Sequence, residues 1–273
     1  MTHDIGQAFR KLHVKGQPFV LANAWDAGSA KMLAGLGAQA IATSSAAHAF
    51  TLGRPDGGTL TRDEALAHAA DLVAAVRVPV QGDFENGFGD DPDICAQTVR
   101  LAAEAGLAGI CIEDTILPGD AAYDHDLAVE RIRAASAAAR ALPRDFILTA
   151  RADGLLTGRY DLAEALRRLL AFQAAGADCL YAPLIPTMAG IAQICAATTA
   201  PVNVLIAGMT TGHDMGAFAA MGVARLSLGS SLARLTHATI RDAAAEMFGQ
   251  RRFDLLGKAM PGGQVDALLA GSA

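Results

Sequence analysis

The chain has 273 residues, of which 52% are hydrophobic and 18% are charged. This composition is typical of a folded globular protein rather than a disordered one. The net charge is −6 and the sequence contains no cluster of Lys or Arg, so we expect a small-molecule ligand and not nucleic acid. The length suits one large domain, and we expect residues 1–273 to form it.

The opening residues 1–7 lack the basic and then apolar layout of a signal peptide, and no apolar stretch is long enough to span a bilayer. We therefore expect a cytoplasmic protein that does not attach to membranes. The four cysteines are far apart and lie in apolar patterns, which predicts buried, reduced thiols. They are Cys95, Cys111, Cys179 and Cys195.

A short apolar run, a turn and an amphipathic segment of helical spacing recur eight times along the chain. Alternating strands and helices predict a parallel sheet, and eight such units predict a (β/α)8 TIM-type barrel. The predicted strands are residues 19–25, 38–44, 78–83, 108–113, 146–151, 179–182, 202–206 and 224–228.

The ends of the predicted helices carry recognisable signals. Thr61 and Glu64 form a capping-box pattern, in which each side chain satisfies the free amide of the other residue. Four glycines follow helical stretches and precede strands, where a residue that tolerates positive φ ends a helix at little cost. These glycines are Gly37, Gly106, Gly176 and Gly222.

Helical patterns also occur outside the eight units. Residues 5–14 predict an extra N-terminal helix that covers the bottom of the barrel. Residues 232–248 and 253–260 predict two helices in a C-terminal extension, at about residues 231–273.

In a (β/α)8 barrel the functional residues lie at the carboxyl ends of the strands. Four acids fall at such ends or in the following loops: Asp56, Asp83, Glu85 and Glu113. If the third strand continues through them, Asp83 and Glu85 project to the same side. Four carboxylates in one mouth repel one another unless a cation lies between them. We therefore predict a Mg²⁺ site, with Mn²⁺ as an alternative, in which Asp83 is the direct ligand and the other acids hold its waters.

Arg151 follows the fifth strand and offers a planar fork that suits a substrate carboxylate. Ser44 and Ser45 follow the second strand and can present hydroxyls and backbone amides to a substrate oxygen. A metal ion, a guanidinium and hydrogen-bond donors of this kind can together stabilise the negative charge of an enolate.

Structural roles remain open for several polar residues near these strand ends. Asp26 can instead cap a helix that starts near residue 27, and Asp114 and Asp153 can pair with arginines. Trp25 is a core residue or part of the substrate wall. Three scattered histidines without metal-ligand spacing favour surface or core positions. They are His48, His125 and His213.

Six separated motifs occur in order at these strand ends: NAWDAGSA (residues 23–30), ATSS (42–45), PDG (55–57), DFENGFG (83–89), IED (112–114) and ARAD (150–153). Together they resemble the isocitrate lyase and phosphoenolpyruvate mutase superfamily. The resemblance implies a Mg²⁺-binding barrel that makes or breaks bonds next to an enolate of a 2-oxo acid.

By the same resemblance, Asp83 matches the direct metal ligand, and Asp56, Glu85 and Glu113 match acids that hold its waters. Ser44 and Ser45 match the oxyanion-binding turn, Arg151 the carboxylate-binding arginine, and Asn203 a polar residue near the substrate. The family also commonly forms tetramers that exchange the last barrel helix, so we expect a homo-oligomer, a dimer or a tetramer. The candidate catalytic residues are Arg151, Ser44, Ser45 and Glu113, and the candidate substrate-binding residues are Trp25, Ser44, Ser45, Asp83, Arg151 and Asn203.

The sequence departs from the family pattern after the fourth strand. Residues 114–125 contain neither the cysteine loop of isocitrate and methylisocitrate lyases nor the Lys-Thr-Asn-Ser type loop of phosphoenolpyruvate mutases. Tyr123 and His125 are candidate proton donors in this loop, although solvent-exposed loop positions are the favoured interpretation.

This departure favours a Mg²⁺-dependent carbon–carbon lyase, most simply a decarboxylase of oxaloacetate. The alternatives are a lyase for methylisocitrate or a substituted malate, and an enzyme similar to phosphonomutases. From another class, the chain could be a catalytically reduced protein that binds a 2-oxo acid.

Overall fold

The computed structural model describes residues 4–271, in which eight parallel strands close into a barrel in chain order. The barrel closes where β1 pairs with β8, with Leu21 opposite Ser227. This confirms the predicted (β/α)8 fold, and every strand lies within its predicted range. The strands are β1 Phe19–Asn23, β2 Ala40–Ala42, β3 Val80–Asp83, β4 Gly109–Glu113, β5 Ile147–Arg151, β6 Cys179–Tyr181, β7 Val202–Leu205 and β8 Arg225–Ser227.

Helices surround the barrel and connect each strand to the next. Two α-helices follow β2 and two follow β5. The α-helices are α1 Ile5–Leu12, α2 Ala27–Gly35, α3 Ser45–Thr51, α4 Arg62–Ala75, α5 Pro92–Glu104, α6 His125–Arg140, α7 Gly154–Thr157, α8 Leu162–Ala174, α9 Met188–Ala197, α10 Met215–Ala220, α11 Ser231–Ala244 and α12 Gly262–Ala270.

The predicted helix ends are confirmed. At α4, the Glu64 amide donates to the Thr61 hydroxyl at 3.2 Å, and the Thr61 amide donates to the Glu64 carboxylate at 2.8 Å. The Asp26 carboxylate caps α2 by accepting from the Ser29 amide at 2.6 Å. The four glycines before strands all adopt positive φ, between 84° and 103°: Gly37, Gly106, Gly176 and Gly222.

Helix α1 covers the amino-terminal end of the barrel, as predicted. Phe9 is fully buried and packs with Phe19 and Leu21 at the base of β1. The Arg10 guanidinium donates to Asp145 at 2.6 Å and to Asp178 at 2.7 Å, which fixes α1 to the residues before β5 and β6. The opening residues 1–3 lie outside the described part of the chain.

The C-terminal extension differs from the expectation. Helix α11 continues into a π-helical turn, Ala245–Gln250, which agrees with the first predicted helix. In the second predicted range, residues 253–260, a 3-10 helix, Asp254–Lys258, forms, and Gly257 and Pro261 disfavour a longer helix. Instead α12 follows and packs against α2.

Two further expectations can be compared with the described residues. All four cysteines are buried free thiols, as predicted. Between residues 4 and 271, no helix is long and apolar enough to cross a membrane.

A buried arginine fills the interior of the barrel below the strand ends. Arg225, on β8, is 1% exposed. Its guanidinium donates to Asn203 at 2.9 Å, to Gln81 at 2.7 Å and to Thr149 at 3.1 Å. It also contacts His13 Nε2 at 3.1 Å, while His13 Nδ1 lies 2.9 Å from the Phe9 carbonyl. His13 therefore fits this site as a neutral imidazole that donates from Nδ1 and accepts at Nε2.

This environment makes His13 a source of acid sensitivity. Burial, followed by the charge of Arg225, lowers the pKa of His13 to about 3. Because an unfolded histidine has a pKa near 6.5, the unfolded chain takes up the proton first, and His13 destabilises the fold as the pH falls from about 6.5 towards 3.

We predict that the free energy of unfolding falls between pH 7 and pH 5 by about 1–2 kcal/mol more in the wild type than in His13→Gln. Urea unfolding at the two pH values measures this difference. Equal losses in the two proteins would contradict the assigned role of His13.

Candidate active site

A cavity of about 590 Å³ opens at the carboxyl ends of the barrel strands, where the sequence placed the functional residues. Its wall combines acids, two arginines, hydroxyl groups and apolar residues from seven of the eight strand ends. Of the predicted site residues, it brings together Ser44, Ser45, Asp56, Asp83, Glu85, Glu113 and Arg151.

Asp83 is the last residue of β3 and is fixed from one side. Its Oδ2 accepts from the Ser45 amide and from the Ser45 hydroxyl, both at 2.9 Å. Its own amide donates to the Thr43 hydroxyl at 2.8 Å. The other oxygen, Oδ1, lies 4.0 Å from Arg151 Nη1. Asp83 thus keeps one oxygen available for a cation in the cavity.

Glu85 reaches the cavity by a different route from the one predicted. Strand β3 ends at Asp83, and Glu85 adopts a left-handed conformation with φ of 47°, which is uncommon for a residue with a side chain. The turn, and not the alternation of a strand, therefore brings the two carboxylates to one cavity. The Oε1 atom of Glu85 accepts a hydrogen bond from the Gly58 amide at 3.3 Å.

Three acids in the cavity have raised pKa values. The pKa of Glu85 is raised to about 7, mainly by burial. The hydrogen bond from the Gly58 amide lowers this pKa, whereas the negative charges of Asp83 and Asp56 raise it further. Burial and the Asp83 charge raise the pKa of Asp56. Burial raises the pKa of Glu113 well above its ordinary value although Arg151 opposes the shift.

These side chains fit a hard divalent cation that keeps most of its waters. The donors are carboxylate oxygens, which Mg²⁺ prefers, and a cation would relieve the repulsion that raises the pKa values of the acids. Within residues 4–271, no three His, Cys, Asp or Glu side chains converge closely enough to hold an ion directly. These carboxylates therefore fit an ion that is held partly through water.

Arg151 lies among the acids at the end of β5. Its Nη1 is 3.1 Å from Glu113 Oε2, and its Nε donates to Asp153. Its guanidinium carbon lies 5.4 Å from the centre of the Tyr181 ring. Burial disfavours the charged guanidinium, but the charges of Asp153 and Glu113 outweigh burial and hold the pKa of Arg151 well above its ordinary value.

The turn after β2 supplies donors next to these acids. The Ser44 hydroxyl caps α3 by accepting from the Ala47 amide at 3.3 Å, while the Ser45 amide and hydroxyl are committed to Asp83. The Ala46 backbone also borders the cavity. Ser45 consequently positions Asp83 directly, which the sequence reasoning did not anticipate.

Trp25 and Asn203 do not line this cavity. Trp25 is partly exposed, and its carbonyl accepts from His68 Nε2 at 2.9 Å. Asn203 is 1% exposed below the mouth, where it accepts from Arg225 and donates to the Ser227 hydroxyl at 2.8 Å. In this conformation Asn203 belongs to the polar network of the barrel interior.

The loop after β4 is tied down by side chains that face away from the cavity. Tyr123 is 2% exposed and its hydroxyl donates to Asp90 at 2.5 Å, so the expectation of an exposed position is wrong for Tyr123. His125 begins α6 beside Asp126. Neither residue lines the cavity, whereas Thr115, Leu117 and Gly119 do.

The structural alternatives for the remaining acids and histidines are confirmed. Asp114 pairs with Arg168 at 2.9 Å, and Asp153 pairs with Arg151. His213 is exposed. His48 is partly buried, and its ring stacks on the His68 ring with 3.8 Å between the ring centroids.

Tyr181 and Arg234 are among the cavity-lining residues that the sequence reasoning missed. Tyr181 ends β6 beneath Arg151, and nothing in its short apolar strand distinguishes it. Arg234 lies in the first turn of α11 and borders the mouth. The small residues 229–231 after β8 marked this edge of the barrel, and Arg234 follows them by one helical turn.

Comparison with known proteins identifies the family of this chain. The sequence matches the phosphoenolpyruvate phosphomutase family over residues 9–248. It is 32% identical to 2-methylisocitrate lyase of Escherichia coli K12, over 73% of this chain and 69% of that protein. It is 30% identical to oxaloacetate decarboxylase of Chromohalobacter salexigens, over 81% of this chain and 77% of that protein.

The fold has a close counterpart among solved structures. A Burkholderia cenocepacia J2315 protein, provisionally described as a lyase/mutase, superimposes with a TM-score of 0.92 at 46% identity, covering 97% of this chain and 95% of that one. The family match extends from α1 through the π-helical turn after α11 and contains every acid of the cavity. The chain therefore belongs to the phosphoenolpyruvate phosphomutase family, within the isocitrate lyase and phosphoenolpyruvate mutase superfamily of lyases and mutases.

Proposed function

We propose that this protein is a Mg²⁺-dependent carbon–carbon lyase that acts on a small 2-oxo acid through an enolate, most simply as a decarboxylase of oxaloacetate. The observation that carries the proposal is the position of Arg151. Its guanidinium lies between Glu113 and Asp153, 4.0 Å from Asp83, at the edge of an acid-lined cavity. A cation and a metal-binding carboxylate thus adjoin the space where a 2-oxo acid would bind.

In this proposal Asp83 is the direct ligand of Mg²⁺, and Asp56, Glu85 and Glu113 hold the waters of the ion. When bound, Mg²⁺ supplies a Lewis acid that withdraws electron density from the 2-oxo group as the distal carboxylate leaves. Mn²⁺, which has similar ligand preferences, is the alternative ion.

The residues of the chain perform the remaining tasks. Arg151 binds the carboxylate next to the keto group, and Ser45 keeps Asp83 in place through its two hydrogen bonds. The Ala46 amide, at the start of α3, offers a donor to the developing enolate oxygen. Asp153 and Glu113 hold the guanidinium of Arg151 in one orientation, which pre-organises the site for a planar carboxylate.

The loop after β4 favours decarboxylation over the alternatives. A methylisocitrate or substituted-malate lyase needs a proton donor over the departing fragment, yet the residues of this loop that line the cavity are Thr115, Leu117 and Gly119. A phosphonomutase needs cationic or amide groups there for a phosphoryl group. Decarboxylation needs no proton donor in the loop, because carbon dioxide leaves without a proton and the remaining enolate can take its proton from water to give pyruvate.

The C-terminal segment supports a homo-oligomer, a dimer or a tetramer. Ala233 is the single buried residue of α11, whereas Leu235 and Ile240 are 63% and 65% exposed. Phe248 is 82% exposed on the turn that follows. We propose that another copy of the chain covers this apolar surface, as the exchange of the last barrel helix would require.

We predict that Asp83→Asn lowers kcat/KM for pyruvate release from oxaloacetate by about 100-fold, because it removes the negative charge that binds the metal. The rate must be measured above the rate with free Mg²⁺, since the free ion promotes the same reaction. Asp71→Asn, on the exposed face of α4, is the matched control and should retain full activity.

If the wild type released pyruvate from oxaloacetate no faster than free Mg²⁺ does, the proposed decarboxylase activity would be refuted. Calorimetric titration with 2-oxo acids then separates the two remaining classes. Tight binding without turnover would indicate a binding protein, whereas product formation from methylisocitrate or phosphonopyruvate would indicate the alternative enzymes.

The substitution Arg151→Lys keeps the positive charge but removes the planar guanidinium. Its kcat/KM should fall by about 100-fold, whereas its free energy of unfolding should change less than that of Arg151→Gln. The glutamine variant leaves Glu113 and Asp153 without a buried partner, at a cost of about 3–5 kcal/mol. Steady-state kinetics and urea unfolding measure the two effects, and full activity in Arg151→Lys would argue against a bidentate role.

A further inference from the structure

The turn after β3, residues 84–90, contains several residues in left-handed conformations. Glu85 and Phe88 adopt φ of 47° and 64°, and Gly87 between them adopts φ of 80°. Such conformations cost free energy for residues with side chains and persist only where the surrounding structure enforces them. Because this turn brings Glu85 to the cavity, the residues that hold the turn also determine where that carboxylate lies.

Arg131, on α6, holds two carbonyl groups of this turn. Its side chain is 1% exposed. Its Nη2 donates to the Asn86 carbonyl and, at 2.8 Å, to the Gly89 carbonyl. The guanidinium forms no ion pair with any residue between 4 and 271. A buried cation is costly unless hydrogen bonds compensate for its lost hydration, and here the carbonyls of the turn supply those bonds.

Tyr123, in the last part of the loop after β4, supports the same turn. Its ring centre lies 3.8 Å from the guanidinium carbon of Arg131, which is a cation–π contact. Its hydroxyl donates to Asp90 at 2.5 Å and accepts from Asn86 Nδ2 at 2.9 Å. Arg131 and Tyr123 thus contact the turn at three positions, although neither side chain lines the cavity.

We propose that Arg131 and Tyr123 are positioning residues of the metal site, which keep Glu85 at the cavity by holding the left-handed turn. The inference rests on the proposed function, because it requires Glu85 to hold a water of the metal ion. Removal of a group that orients the ligands of a metal commonly lowers metal affinity by about 10- to 100-fold. Arg131 and Tyr123 act in this way through the backbone of the turn, without contact with the ion.

Binding of Mn²⁺ alone, measured from the electron paramagnetic resonance signal of the free ion, tests this role without turnover. In Arg131→Met, which removes the guanidinium but keeps an apolar chain, we expect the affinity for Mn²⁺ to fall about 10-fold. Glu85→Gln should weaken binding by a similar factor. The double variant should bind Mn²⁺ no more weakly than Glu85→Gln alone, because residues that act through one another show losses that are not additive.

Arg144→Met is the matched control. Arg144 Nη2 also donates to two carbonyls, those of Ala103 and Leu107, both at 2.7 Å. Its guanidinium carbon lies 5.8 Å from the centre of the Phe146 ring. These contacts precede β4 and β5, at the amino-terminal end of the barrel. The control variant should therefore lose stability but bind Mn²⁺ like the wild type.

Tyr123→Phe provides a milder second variant, because it removes only the hydroxyl and keeps the ring beside Arg131. We expect its affinity for Mn²⁺ to fall about threefold, as for the loss of one hydrogen bond, and to show no further loss when combined with Glu85→Gln. Circular dichroism establishes that each variant is folded. Should Arg131→Met fail to fold, Tyr123→Phe decides the question.

The outcomes separate the two proposals. Wild-type affinity in folded Arg131→Met and Tyr123→Phe, or losses that add to that of Glu85→Gln, would overturn the positioning role while leaving the metal site intact. An equal loss in Arg144→Met, or no loss in Glu85→Gln, would overturn it as well. Failure of the wild type to bind Mn²⁺ would overturn the metal site of the proposed function, and the role of Arg131 with it.

Discussion

The ion pairs of Arg151 are the contacts on which the rest of the site depends. A guanidinium at the end of β5 gives the buried Glu113 and Asp153 side chains a partner, without which their burial would be costly. The same contacts fix the plane of the guanidinium. An arrangement that stabilises the barrel mouth therefore also prepares a flat, cationic surface for a carboxylate.

Arg151 does not balance all of the charge in the cavity. Burial and mutual repulsion still raise the pKa values of Asp56, Glu85 and Glu113. Repulsion of this kind destabilises the folded protein, but it also favours binding of a divalent cation, because the cation relieves the repulsion. The hydrogen bonds from Ser45 to one oxygen of Asp83 leave the other oxygen for that cation. In the proposed function the acids and the serine turn both serve to bind this cation, although they come from three different loops.

The barrel and most of its mouth could be predicted because they depend on local patterns. Apolar runs, capping residues and glycines at helix ends specify the eight units, and the ends of parallel strands meet at one edge. Contacts that depend on the path of a turn could not be predicted. Glu85 reaches the cavity through a left-handed conformation, and Tyr123 turns inward to Asp90, which no spacing in the sequence indicates.

Contacts inside the barrel also could not be predicted from the sequence. Asn203 resembled a substrate-binding residue by its place in the family pattern, but in this structure its amide is engaged by Arg225 and Ser227. Arg225 itself lies in a short strand, where a single arginine gives no sign that it will be buried. Arg234 was missed for the opposite reason, since an exposed helical arginine is usually a solvated surface residue. Its position beside the cavity follows only from the packing of the last strand.

The central claim is that Asp83 alone binds the metal directly while the neighbouring acids act through water. A crystal structure with Mn²⁺ and oxalate tests it most directly, because anomalous scattering locates the ion. We predict one Mn²⁺ in the cavity, bonded to one oxygen of Asp83 and to oxalate, with waters between the ion and Asp56, Glu85 and Glu113. An ion bonded to these acids without Asp83, or no ion in the cavity, would contradict this account.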